Sequence, residues 1–322
     1  MKRLQDATGK IPLWVYNILT IVSSLIAIVT FVVGVIRWIT NKSFFITPII
    51  ILAGVIAILV LRIFKYRKLL RERMKMTSAG IHDLSHAFRD TFFDILHEYK
   101  LGQLTVPLLT KEVEDCIQTG LDSLCNIMTA FTGAEVSACI KLIECAEDSG
   151  EIDVERAKIR VFCRSRNSDR SRVSYDHSQE RTDMYLKDDT VLMRIVGPQA
   201  QQDHFYYGDL DKFKRACEEA QESYNCPNKH REKYYIGTMV LPIRILFQRL
   251  YYYERNDAYH VIGFLCVDSL SQNAFQINQE DYNCKVGNAF ADMFYVILSK
   301  YRHYLNKLAA QTPAKEIPDE NK

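Results

Sequence analysis

Three clusters of side chains carry types and spacings that could do chemistry. His82, His86 and Asp90 stand at i, i+4 and i+8, and Asp94 and His97 extend the run. On a helix these residues share a face. Two imidazoles one turn apart form a chelating pair for zinc, with a carboxylate as a third ligand. The same spacing also describes the polar side of an amphipathic helix, and that reading is adopted. Cys217, Cys226 and His230 form C-x8-C-x3-H, with His204 or Glu218 as the available fourth ligand. The set lacks the close C-x2-C pair of a structural zinc site, so it reads as two reduced cysteines beside a turn at Pro227. No P-loop, G-x-S-x-G, H-E-x-x-H or dinucleotide fingerprint occurs. The expectation is a protein that is not an enzyme. No cofactor can be named from the residues.

The elements that must hold any site begin with two apolar stretches. Leu13 to Ile36 is 24 residues without a charge, and Phe44 to Leu61 is 18 more. At about 1.5 Å per residue each is long enough to span a hydrocarbon core of about 30 Å. The first run is too long for the apolar region of a signal peptide, and no small-residue cleavage site follows it. The expectation is a two-helix transmembrane hairpin over residues 13–63, after an N-terminal tail of residues 1–12. Ser23 and Ala27 on the first segment, and Ala53 and Ala57 on the second, have the small-xxx-small spacing that lets helices approach closely. Neither segment holds an ionisable residue, which argues against a channel, proton relay or transporter.

Charge sets the expected orientation. The tail carries Lys2, Arg3 and Lys10, and the loop between segments carries Arg37 and Lys42. Arg62, Lys65, Arg67, Lys68, Arg71, Arg73 and Lys75 follow the second segment. The positive-inside rule then places both termini in the cytoplasm, as in a two-span protein of a bacterial inner membrane. Of the 41 Lys/Arg and 39 Asp/Glu in the chain, residues 1–75 hold 12 and 2, which leaves the remainder net acidic. Basic residues from Arg62 to Lys75 therefore suggest anionic lipid headgroups as a partner, and nucleic acid is excluded as one. All 9 cysteines lie beyond residue 115, an odd count without regular spacing, consistent with reduced thiols in the cytosol.

Past the apolar region, Ile81, Leu84, Phe88, Phe92, Ile95 and Tyr99 repeat at three and four. This predicts a linker helix within residues 64–105, either a dimerising stalk or the first helix packed on the domain. Residues 106–305 are long enough for one core. Within them, helix is predicted over 111–132, strands over 136–142 and 159–163, and a long polar surface excursion over 165–189. Asp189 is expected to cap a short helix through Val196. A strand over 204–207, a helix over 211–224 and strands over 237–247 and 259–268 follow. Asn278 is expected to cap a closing helix to Tyr304, and residues 306–322 form a disordered tail. The order predicts an α+β domain with a central, mostly antiparallel sheet flanked by helices.

The C-terminal third resembles a GAF domain. The resemblance rests on "YIGTMVLPIRI" (Tyr235–Ile245), "HVIGFLCVDSL" (His260–Leu270), Phe275 and "DYNCKVGNAFADMFYVIL" (Asp281–Leu298), with "DHFYYGDL" (Asp203–Leu210) similar to the family's middle strand. It implies a ligand pocket between one sheet face and covering segments at residues 186–235. The family's cyclic-nucleotide pattern wants Phe, three residues, then Asp-Glu. Phe275 is instead followed by four residues before Glu280-Asp281, a departure from that pattern. Nothing marks a bilin or haem attachment site. A second, fainter resemblance links "LSHAFRD" (Leu84–Asp90) to the phospho-acceptor box of histidine kinases, but Ala87 and Asp90-Thr91 depart from it.

Pockets combine apolar walls with a few directed polar groups. Within the covering region the candidate ligand-binding residues are Arg194, His204, Tyr206, Tyr207, Asp209, Tyr234 and Tyr235; as a competing expectation, each tyrosine is a residue at the edge of the core. The resulting expectation is a membrane-tethered, GAF-like module that senses a cytosolic small molecule, is homodimeric, has no attached catalytic output domain and acts through an effector protein. The alternative is a membrane-bound interaction scaffold that binds no ligand.

Overall fold

The computed structural model describes residues 23–24, 26–36, 46–144, 153–176, 183–197, 203–228, 231–246, 259–272 and 274–311. The chain divides into two compact units, Met1–Glu72 and Arg73–Lys322.

In the first unit, residues 23–24 and 26–36 are helical, and α1 begins at Ile46 and continues to Leu101. Among the described residues no helix is long and apolar enough to cross a membrane. This departs from the expected hairpin, of which residues 13–22, 25 and 37–45 lie outside the description. The described parts keep their apolar side chains in the open. Ile26, Phe31 and Ile36, and then Ile56, Ile58 and Leu61, are all exposed.

The second unit starts with the remainder of α1. Leu84 and Ile95 are fully buried, Phe88, Phe92 and Tyr99 pack beside them, and Ile81 stays exposed. The apolar stripe therefore packs on the domain core. Arg73 Nε and Nη2 donate to the carbonyls of Ala130 and Phe131 at 3.2 Å each, tying this helix to the end of the next. α1 ends at Gly102, whose φ of +68° suits glycine. Thr105 then caps α2 (Val106–Thr132), accepting from Leu108 N, with Pro107 in the first turn. Helix thus starts five residues before the expected position, because a capping threonine and a first-turn proline favour initiation there.

Six strands follow: β1 (Ser137–Glu144), β2 (Lys158–Arg164), β3 (Met184–Tyr185), β4 (Phe205–Tyr207), β5 (Gly237–Leu246) and β6 (Tyr259–Ser269). They form one sheet in the order β3-β2-β1-β6-β5-β4, with every pair antiparallel. Pro242 interrupts no ladder on its outer side, because β4 pairs only as far as Val240. Short helices α3 (Arg170–Asp176), α4 (Thr190–Val196), α5 (Leu210–Glu219) and α6 (Arg231–Tyr234) lie in the connections, and α7 (Glu280–Gln311) closes the unit. Asn278 does not cap α7. It sits inside a single 3-10 turn, Ile277–Gln279, that leads into the helix. α7 also outlasts its expected end, since Leu305 and Leu308 still pack on the core.

Side-chain alternation sends the sheet's two faces to different cores. Ala138, Ile140, Met239, Leu241, Leu265 and Val267 face α1, α2 and α7. Gly120 lies where these helices meet, and a Cβ there would come within 2.7 Å of both Leu84 Cδ1 and Phe294 Cε1. Cys139, Ile159, Phe205, Val240, Phe264 and Cys266 face the opposite way, against Leu186, Val191, Leu192, Leu210 and Phe213. This second face carries the site.

Candidate functional site

Four charged side chains point from the second sheet face and its cover into the interior. Lys141 stands in the middle of β1, where alternation puts it on the same face as Cys139 and Ile143. Its ammonium lies 3.6 Å from Asp189 Oδ2. Asp189 caps α4 as expected: its Oδ1 accepts from the backbone N–H of Val191 at 3.1 Å and of Leu192 at 3.3 Å. One carboxylate therefore serves a helix N-terminus and a buried cation together.

The other pair joins α3 to β6. Arg172 Nη1 and Nη2 each donate to Asp268 Oδ2 at 3.3 Å, and Thr238 Oγ1 donates to Asp268 Oδ1 at 2.8 Å. The guanidinium lies against two rings, 5.4 Å from the centre of Tyr234 and 5.3 Å from that of Tyr235. Between the pairs lies a cavity of about 30 Å³, closed further by Tyr224, Cys226 and Cys266. All four charged side chains are at least four-fifths buried.

Electrostatics inside follow from this crowding. Burial pulls the Lys141 ammonium down, but the negative charge of the cysteine pair Cys266 and Cys139, together with Asp189 and Asp268, more than offsets it. Lys141 stays a cation. Burial pushes the Tyr235 phenol well above its ordinary value, with Cys226, Asp268 and Asp189 adding to the rise and Arg172 opposing it. Burial likewise raises Tyr224 and Cys226. The cavity thus presents two cations, two carboxylates, neutral phenols and the sulfurs of Cys226 and Cys266.

Of the seven residues expected to bind a ligand, the structure brings two to this place. Tyr235 lines the cavity, and Tyr234 holds Arg172 from outside while its hydroxyl lies 3.1 Å from Ser171 Oγ. Arg194 turns away toward Glu222 and the Phe213 ring. His204 Nε2 sits 3.0 Å from Glu280 Oε1. Tyr206 belongs to the opposite core, where Asn283 Nδ2 donates to its hydroxyl at 2.8 Å. Tyr207 stacks on Phe205, meets Phe213 at a tilt and is partly exposed. Asp209 caps α5, accepting from the N–H of Asp211 and Lys212.

Sequence reasoning missed Lys141, Arg172 and Asp268 as site residues. A lysine inside an otherwise apolar alternation was the available signal for Lys141. Arg172 has none, because its segment reads as a solvated excursion.

A larger groove of about 460 Å³ runs along α2, β2 and α3. Two of its arginines are answered by acids: Arg164 by Asp176 and Arg166 by Asp122. Among the described residues no group of three or more His, Cys, Asp or Glu is placed to hold a metal. His82 and His86 stack edge-on at 4.2 Å, and His86 Nδ1 lies 2.9 Å from Arg89 Nη2. His230 of the cysteine-histidine set lies outside the described residues.

No family model matches the sequence, and no curated protein does. Solved structures are similar in fold. The GAF domain of an Acinetobacter phosphoenolpyruvate-protein phosphotransferase is 12% identical, with 62% of this chain and 92% of that one covered and a TM-score of 0.33. A type II free methionine-R-sulfoxide reductase from Thermoplasma acidophilum is 10% identical, with 57% and 96% covered and a TM-score of 0.32. The phycoerythrobilin-bound GAF domain of a cyanobacterial phytochrome is 12% identical, with 69% and 98% covered and a TM-score of 0.34. Residues Arg73–Lys322 fold as an antiparallel six-stranded sheet with helices on both sides.

Proposed function

We propose that this chain is a membrane-tethered sensor whose GAF-like unit binds a small anionic or zwitterionic molecule between Lys141 and Arg172. The observation that carries the reading is the placement of two buried cations on one cavity, each held by a single displaceable carboxylate. A ligand carboxylate or phosphate would take over the contacts of Asp189 or Asp268, and its own positive group, if present, would meet the displaced acid. Such an exchange loosens the cap of α4 or the hold on α3, so occupancy is converted into movement of the covering helices. The tether is the pair of apolar segments, supported by the exposed apolar side chains of residues 26–36 and 51–64, with the basic residues from Arg62 to Lys75 at anionic headgroups. A homodimer and a separate effector protein complete the reading.

The test is a thermal-shift screen of the detergent-solubilised full chain against small carboxylates, phosphates and amino acids. A stabilising compound should lose its effect in Lys141→Met. A compound that stabilises wild type and Lys141→Met equally would rule this site out. The second reading, a scaffold without ligand, draws on the cavity's size of about 30 Å³ and on the internal pairing of both cations. A screen without any stabilising compound supports it.

A further inference from the structure

Cys139 and Cys266 are directly opposed on β1 and β6. Opposed residues of antiparallel strands put their side chains on one face with Cα atoms about 4.5–5.5 Å apart, inside the range of about 4.4–6.8 Å that a disulfide spans. Both thiols are free and buried. The contact between them is the largest influence lowering Cys139 and the largest raising Cys266, so loss of one proton from the pair is favoured and loss of the second opposed. Arg164, opposite Cys139 on β2, and Lys141, two residues along β1, supply the positive field that favours the charge. Cys266 lines the cavity. At about 30 Å³ the cavity has room for about two water molecules, which is the bulk of hydrogen peroxide and less than that of an organic hydroperoxide.

We propose that Cys139 and Cys266 form a peroxide-oxidised dithiol site, a modification chemically distinct from ligand binding although Cys266 lines the same cavity. The proton passes across the sulfur pair to Cys139, and the Cys266 thiolate attacks one peroxide oxygen. An S–O bond forms and the O–O bond breaks. The departing hydroxide takes a proton from solvent, balancing the one the pair had lost. The Cys139 sulfur then attacks Cys266; the S–S bond forms, the S–O bond breaks, and the hydroxyl leaves as water with the Cys139 proton. Peroxide is reduced to two waters, and the two sulfurs together lose two electrons. Lys141 and Arg164 thereby lose the negative charge that faced them.

The detergent-solubilised full chain, treated with stoichiometric hydrogen peroxide, denatured, alkylated and digested, should yield a Cys139–Cys266 cross-linked peptide. Both thiols should be lost to alkylation, and dithiothreitol should restore them. In Cys139→Ser, dimedone should label Cys266, because no second thiol resolves the sulfenic acid. Full alkylation of both cysteines after peroxide, a cross-link through Cys226 instead, or no dimedone adduct in Cys139→Ser would each overturn the proposal. The wild-type measurement needs no variant to fold.

Discussion

Arg172 and Asp268 lie 96 residues apart in sequence, yet both terminal nitrogens of the guanidinium rest 3.3 Å from one carboxylate oxygen. The contact anchors a short helix from a polar excursion onto the central strand β6. Removing Arg172 leaves a buried carboxylate with Thr238 as its hydroxyl donor. Arg172→Ala should therefore cost about 3–5 kcal/mol in chemical denaturation, and adding Asp268→Asn should restore a large part of it. Equal stability of the single and double variants would show that the charge itself is not the cause.

Asp189 has two duties that substitution can separate. Asn keeps a good helix cap but gives up the charge facing Lys141, and Ala gives up both. Asp189→Ala should lose about 0.5–2 kcal/mol more than Asp189→Asn, the range of a lost cap. Urea unfolding of the two variants measures the difference.

Gly120 allows three helices to meet. A methyl group there overlaps Leu84 and Phe294, so Gly120→Ala should destabilise by about 1–3 kcal/mol despite alanine's better helix propensity. Leu84→Val withdraws one of the overlapping carbons. The double variant should therefore fall short of the sum of the two single losses.

Burial pushes the Tyr206 hydroxyl up to about 12, with Asn283 donating to it in opposition. In the unfolded chain a tyrosine ionises near about 10. The folded state then holds a proton that the unfolded state releases, so stability is unchanged below about pH 10 and falls as pH rises toward 12. Tyr224 and Tyr235 are raised by burial in the same sense. Unfolding free energy measured between pH 8 and 11 should decline at the alkaline end, and Tyr206→Phe should reduce the slope by at most about 1.4 kcal/mol per pH unit.

Local rules made much of the framework readable. The three-four spacing of Leu84, Phe88 and Ile95 marked a buried helix face, and Asp189 showed itself as a cap ahead of an apolar turn. Alternation set the long strands β5 and β6. Two helix starts were misplaced because Thr105 and the Ile277–Gln279 turn compete with neighbouring signals of similar strength. The cavity itself was less legible. Its charges come from β1, α3, α4 and β6, and only the strand order brings them together. Arg172 in particular is polar in a polar segment, and nothing local distinguishes a residue that turns inward from one that faces water. The tyrosines were over-weighted for the converse reason: Tyr206 and Tyr207 neighbour each other in β4 and so must point to opposite faces.

Pro242, which interrupts no ladder, has a further consequence for how the edge of the sheet meets other chains. Past Val240 the outer side of β5 has no partner in β4, and Leu241, Pro242 and Ile243 are buried there. A proline there offers no N–H, and Arg244, two residues on, adds a charge. At the far margin of the sheet β3 is only two residues long. Among the described residues the margins of the sheet therefore offer another chain little continuous backbone on which to add a strand.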